Sequence, residues 1–444
     1  MNKIYLWILP VLSALFSCAA SRTSVDKPQA VPLIRQYADV AENSDTVFEK
    51  SGAILTLPDA LRLALLHNPS LSAFSLEMRA QEAAAVQASL FPNPTIMLEV
   101  ENFAGSGPYN SFKGAETTIS VGQLIQLSGK RAKQTKVAIL NGDIAAVDYD
   151  SKRLEVYTQV VSAFNNVLAA QERVVLNREL LKLNEEFKNN IIRLIDAGRT
   201  SPVELSRANV EIANTQIELQ HREKELAAAR LQLAATWGAT KVLFERLQGK
   251  LDYTVVLPEK EALEHLIEQN PDLKRWQTVQ KQRRAVRDLT KAERIPDPSI
   301  AAGYRLLNGS DYGAFVAGLV IPLKIFNRNQ GAIEEAEIRI KQSRRFEKAA
   351  RINLRAELGR EYERIKAAYQ SIQSLKNVVI PQAQKAFDGV NSGYEQGKFK
   401  FIDVLDARRT LFSSRDAYLQ ILNAYQQLRV NIERLIGQSL ENIE

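Results

Sequence analysis

Apolar positions along this chain follow two periodicities, which alternate in a fixed order. Residues 58–90 are rich in Ala and Leu at helical spacing and stop at Pro92 and Pro94, which cannot continue a helix. Two segments of period two come next. In 95–103, Ile96, Leu98 and Val100 alternate with Met97, Glu99 and Glu101; in 117–127, Ile119, Val121, Ile125 and Leu127 alternate with Thr118, Ser120, Gly122 and Gln126. The loop between them, GSGPYNSFKG at 105–114, has turn composition, so 95–127 is expected to form a β-hairpin. From Gly129 to Ala197 there is no proline, and apolar residues at 137, 140, 144, 147, 154, 157, 161, 164 and 168 keep a three-and-four spacing. That is a coiled-coil seam, on a helix of roughly 100 Å at 1.5 Å per residue. A tight turn at 198–204 leads into a returning helix over 202–237.

The same order then recurs. HNPSL at 67–71 returns as QNPDL at 269–273, FPNPTI at 91–96 as IPDPSI at 295–300, and AGRTSPVELSRA at 197–208 as QGKFKFIDVLDA at 396–407. The three matches agree on an offset near 200 residues, too long for a solenoid repeat and suited to a duplicated half-molecule. Duplicated halves are common in membrane transport proteins. The scheme is a first repeat over 58–237, a mixed collar over 238–258 and a second repeat over 259–437, with a short tail at 438–444. Within the second repeat we expect a hairpin over 299–323, a long helix over 330–396, a turn at 397–403 and a returning helix over 401–436. Leu358, Tyr362, Ile365, Tyr369, Ile372 and Val379 mark its seam, and Pro381 is placed to bend it. In the collar, alternation from Leu251 to Leu257 suggests extended chain.

Composition narrows the class. With 25% charged residues and a mean hydropathy of −0.21, the chain does not resemble a helical membrane protein. Its one long apolar segment, Ile4 to Ala20, comes after Lys3 and ends near Leu15-Phe16-Ser17-Cys18, which reads as a lipoprotein signal peptide (1–17) with Cys18 as the acylated residue. Residues 18–57 would then be a lipidated tether. The net charge of +7 does not point to nucleic acid: the basic residues of 281–294 and 339–366 alternate with acids at helical spacing and carry no aromatic platform.

The strands explain the rest. Each is about nine to eleven residues, the length that crosses a bilayer at a tilt. Four such strands cannot close a barrel, and open sheet edges are forbidden in lipid, so one chain cannot span alone. Three chains would supply twelve strands around an open lumen.

At this point the sequence resembles the TolC-type outer-membrane factor family, and within it the heavy-metal, CzcC-like branch. The resemblance is carried by ENFAGSG (101–107), Glu116-Thr117-Thr118 and QLIQLSGKR (123–131) in the first hairpin, and by GYRLLNGSD (303–311) and IPLKIFNRNQG (321–331) in the second. Ser128 stands where glycine is usual, and Lys324 where proline is usual. The resemblance implies a mainly α chain with a small transmembrane β part. It also implies a homotrimer: a twelve-stranded outer-membrane barrel continued by a periplasmic α-helical tunnel. Such a trimer is the passive exit duct of a tripartite pump, served by a periplasmic adaptor and an inner-membrane pump of the resistance-nodulation-division type. Cobalt, zinc, cadmium or copper cations are the expected cargo. Drugs or secreted proteins are an alternative cargo, and a lipid-anchored coiled-coil scaffold without a pore is an alternative class.

No catalysis, cofactor or resident metal is expected. His67, His221 and His265 lie far apart and Cys18 is the single cysteine, so one chain assembles no soft metal site. The turns carry the candidate residues. By the resemblance, Asp403 and Asp406 would form acidic rings at the tunnel entrance, where three copies of each carboxylate concentrate cations. Phe399 replaces a gate-latching arginine of relatives. Glu204 is a further gating candidate, although Ser201-Pro202-Val203-Glu204 also reads as a capping box. Gly198, Arg199 and Thr200, with Gly397, Lys398, Phe399 and Lys400, would present the exposed docking turns for the adaptor.

Overall fold

Asn68-Pro69 interrupts the helical stretch expected over 58–90, and Asn270-Pro271 interrupts its counterpart, expected over 259–294. The residue before a proline is pushed out of the helical region, and Asn68 accordingly takes ψ 119° and Asn270 ψ 133°. Each asparagine then caps the next helix: the Asn68 Oδ1 accepts from the N–H of Leu71 at 2.9 Å, and that of Asn270 from Asp272 at 2.8 Å. Their amide groups also reach across the chain. Asn68 Nδ2 donates to the Thr236 carbonyl at 2.8 Å, and Asn270 Nδ2 to that of Leu435 at 2.9 Å. The repeated NP motif is therefore a clasp between the start of each half and the end of its returning helix.

The computed structural model describes residues 53–443 apart from 256 and 311, so the signal segment, Cys18 and most of the tether lie outside the described residues. In chain order the elements are β1 (Ala53–Leu55), α1 (Leu57–His67), α2 (Pro69–Ser89), β2 (Thr95–Glu101), β3 (Glu116–Leu124), α3 (Lys130–Asp196), α4 (Pro202–Ala235) and β4 (Phe244–Leu247). The second half adds α5 (Lys260–Leu266), α6 (Pro271–Ala292), β5 (Ser299–Leu307), β6 (Gly313–Val320), α7 (Gln330–Ser374), α8 (Ile380–Glu395) and α9 (Phe401–Ile436). These form two compact units, and each draws on both repeats: one takes Leu76–Ala146 and Arg275–Lys348, the other 53–75, Val147–Lys274 and 349–443. Among the described residues no helix is long and apolar enough to cross a membrane.

The first unit carries a four-stranded antiparallel sheet in the order β2-β3-β5-β6. Its strands are 7, 9, 9 and 8 residues long, the shorter two being the unpaired edges. The edge strands β2 and β6 fall short of their predicted spans for local reasons. Asn102 turns to a φ of 58° immediately after β2, and Pro322 has no N–H to extend β6. Register joins the two hairpins through β3 and β5, with Ile119 opposite Tyr304 and Thr118 opposite Arg305. Below the sheet, Asp297 Oδ1 accepts from the Leu127 N–H at 2.8 Å and from Lys130 Nζ at 2.7 Å. Ser128 sits at a φ of 58° beside Gly129 at 63°, a left-handed conformation that glycine adopts at less cost than serine.

The second unit holds the main core. Val160, Phe164 and Val167 of α3, Leu358 and Ile365 of α7, and Tyr425, Val430 and Ile436 of α9 are buried together. Among the described residues of 251–257 the alternation forms no strand. Its backbone is held instead by α9: Gln426 Nε2 donates to the carbonyls of Leu251 and Tyr253, and the Tyr425 hydroxyl bonds both the N–H and the carbonyl of Val255. The strand in the collar is β4, paired in parallel with β1. The second seam is also shorter than expected. A π-helical turn at Leu375–Val379 precedes Pro381 and leaves Val379 exposed. The extra residue in such a turn rotates the apolar face, which resumes at Ala383 and Phe387.

Candidate functional site

Both turns of the second unit end a long helix in the same way. Gly198 (φ 70°) and Gly397 (φ 76°) adopt the left-handed conformation that closes a helix at little steric cost. In each turn the next N–H folds back to a carbonyl five residues earlier: Arg199 to Leu194 and Lys398 to Gly393, both at 2.8 Å. The returning helices start on Pro202 and Phe401.

The carboxylates behave differently. Ser201 caps α4 by accepting from the Val203 N–H, but Glu204 does not complete the expected box. It accepts instead from the hydroxyl of Thr200 and, at 2.8 Å, from that of Tyr394 on α8. Tyr394 is 7% exposed. Its burial and the bond to Glu204 push the phenol up to about 12. Asp403 does reach back, accepting the Lys400 N–H at 2.8 Å, while Asp406 one turn on is exposed. Arg199 adds a second tie between the turns by donating to the Glu395 carbonyl at 3.3 Å. Thr200, Lys398 and Lys400 complete the turn surfaces, and Phe399 folds over Gly393, leaving no room there for a Cβ.

A third tie lies deeper, and sequence reasoning missed it. Arg408 of α9 is 6% exposed and donates to Asn184 of α3 and to Glu211 of α4, the latter at 3.3 Å. Asn184 in turn donates to Thr215 at 2.8 Å. Burial lowers the Arg408 pKa against the pull of Glu211. The signal was present: Phe401, Val404, Leu405, Arg408 and Leu411 share one buried stripe of α9, and an arginine inside such a stripe needs partners.

The sheet of the first unit is two-faced. Ile96, Leu98, Val100, Ile119, Val121, Ile300, Tyr304, Leu306, Phe315 and Leu319 fall on one face, with Phe315 91% exposed. Thr95, Glu99, Glu101, Glu116, Thr118, Ser120 and Arg305 fall on the other, together with Met97, Leu124, Leu307 and the small or apolar residues Ala314, Val316, Gly318 and Val320 of β6. An exposed apolar face, backed by the face that carries all the charged residues of the strands, with both edges unpaired among the described residues, is the pattern of a segment of a membrane barrel. Elsewhere, His67, His221 and His265 are solvent-facing. Among the described residues no three His, Cys, Asp or Glu side chains group so as to hold a metal ion.

These features meet in one class of protein, the outer-membrane export channel. The sequence model of the outer membrane efflux protein family matches residues 60–239 and 262–438, and the chain belongs to that family. It is 32% identical over 404 residues to the cobalt-zinc-cadmium resistance protein CzcC of Cupriavidus metallidurans, covering 90% of this chain and 94% of that one. The nickel and cobalt resistance protein CnrC of the same organism is 24% identical over 284 residues, or 64% of this chain and 67% of that one. Of solved structures, CusC superposes with a TM-score of 0.73 at 18% identity, over 96% of this chain and 100% of that one.

Proposed function

We propose that three copies of this chain join their β2 and β6 edges into a twelve-stranded barrel that passes heavy-metal cations out of the cell. The two-faced sheet with both edges open carries this reading. Each unpaired backbone group in lipid costs several kcal/mol, and closure between copies removes them all. Four strands per chain make twelve in three copies, enough for a lumen that side chains do not fill. The cargo class rests on the likeness to CzcC across most of both chains. A periplasmic adaptor docks on Gly198, Arg199, Thr200, Gly397, Lys398, Phe399 and Lys400, and an inner-membrane pump supplies the energy. A lipid on Cys18 adds a second anchor. At the turns, Glu204 holds the two tips of one chain together through Tyr394. Asp406 supplies the freely facing carboxylate of the cation ring, while Asp403 keeps one oxygen on the Lys400 N–H.

Purified protein in planar bilayers, with trimer yield read on gels, tests the barrel. Ile119→Arg, on the apolar face near the middle of β3, should cost about 2–4 kcal/mol and abolish trimers, whereas Ser120→Arg on the opposite face should be tolerated. Equal tolerance at both positions, or no conductance from the wild type, would sink the reading. Cobalt, zinc and cadmium sensitivity of a deletion strain tests the cargo.

A further inference from the structure

We propose that Arg305 is a built-in counterion that keeps the loop end of the barrel from trapping the divalent cations that pass it. The inference rests on the closed-barrel reading above and deepens it.

Glu101 and Glu116 face each other across the last rung of β2 and β3, just before the loop at 102–115. Like charges directly opposed on adjacent strands destabilise a sheet. Arg305, on the neighbouring strand β5, resolves this. Its Nη1 donates to Glu116 at 2.7 Å, its Nη2 to Glu101 at 3.0 Å, and its Nε to the Thr118 hydroxyl at 3.0 Å. Glu99 lies two rungs further on, opposite Thr118 on the same face. One guanidinium on β5 thus shares a face with three carboxylates of β2 and β3.

The opposite face is apolar and must meet the lipid, so this cluster lines the lumen. It stands at the end of the sheet away from α2 and α3, where cargo would leave. Conduction requires that an ion be attracted strongly enough to approach and held weakly enough to depart. Divalent cations bind through carboxylate oxygens, and two glutamates on one rung, repeated in each copy, would be a strong donor set. The Arg305 fork occupies an oxygen of each carboxylate and repels an approaching cation. A net negative charge remains to attract cations, with no free pair of carboxylates to hold them.

The test is zinc block of full-length protein in planar bilayers, with zinc chloride added on the loop side. R305Q should lower the half-blocking zinc concentration by about tenfold or more, since the charge freed is focused in a narrow low-dielectric mouth. R305K, which keeps the charge, should restore most of the wild-type tolerance. A fastening role alone would change trimer yield in R305Q and leave zinc sensitivity where it was. Conducting R305Q channels with wild-type zinc sensitivity would overturn the proposal while the barrel stands; a wild type without channels would remove both. Should R305Q not assemble, R305Q/E116Q decides: it removes the opposed pair with its counterion and keeps the net charge of the cluster, but leaves Glu101 and Glu99 unoccupied on one face of β2. The half-blocking zinc concentration should still fall below the wild-type value, and an unchanged value counts against Arg305.

Discussion

The two turns share one backbone and use the acid at the same helical position in opposite ways. Glu204 and Asp403 are each the third residue of a returning helix, and both come after a left-handed glycine. Asp403 has a short side chain and reaches only its own turn, where it takes the Lys400 N–H. Glu204 is one methylene longer and has two hydroxyls near it, from Thr200 and Tyr394. At the position of Thr200 the second turn carries Phe399, which offers no donor. A capping position therefore becomes a cross-tie when the acid is longer and its neighbours donate. The second helix is fastened further up, by Arg408, where the first has the exposed Asn209. Each helix is thus anchored on the other repeat, by a different residue.

The sharpest way to break this comparison is Arg408→Leu. It leaves the buried Asn184 oxygen without its donor, which should cost about 2–3 kcal/mol. Thermal unfolding of the detergent-solubilised protein would read it, and the equivalent change Asn209→Leu should be nearly silent. Equal effects would show that the two returning helices are held alike.

Next in size is Glu204→Ala, which strands the buried Tyr394 hydroxyl at a cost of about 1–2 kcal/mol. It should also raise the open probability of the channel. The tie has a pH signature of defined sign. The folded phenol sits above its ordinary value, at about 12, so its contribution is complete below the ordinary phenol pKa and disappears as pH rises through the folded one. The stability gap between wild type and Tyr394→Phe should be flat through neutral pH and close only in strong alkali. A gap that closes between about pH 6 and 8, where an unperturbed phenol does not titrate, would assign the effect to another group.

The smallest expected effects belong to the second turn. Asp403→Ala removes a cap, about 1 kcal/mol. Asp406→Asn should change stability by less than about 0.5 kcal/mol while still reducing cation preference in a salt gradient. If the Asp406 change leaves ion selectivity intact, the acidic ring is not formed there.

Much of this architecture was legible because its cause is local. Proline and glycine placed the turns, period-two alternation separated the two faces of the sheet, and the repeat fixed the order of elements. Expectations failed where distant side chains decide. The 251–257 segment alternates like a strand, yet Gln426 and Tyr425, some 170 residues away, take its backbone groups. Glu204 looks like half of a capping box until Tyr394, 190 residues on, is beside it. Leu375–Val379 has ordinary helical composition, and its wider turn is set by the proline just beyond it. The turn residues lie where one helix ends and the next begins, and the side-chain partners that distinguish the two turns were not visible in the sequence.

The asparagine clasps also bear on how the molecule comes to exist. Asn68 and its acceptor at Thr236 are 168 residues apart, and Asn270 and Leu435 are 165 apart. Contacts between such distant residues carry the largest loop-closure cost and form late. Both ends of each clasp nevertheless belong to one repeat. A chain threaded out of the cytoplasm from its N-terminus presents the whole first clasp before the second repeat has emerged. The first half can then fasten itself while the second is still in transit, and the pair of clasps divides one long search into two shorter ones made in succession.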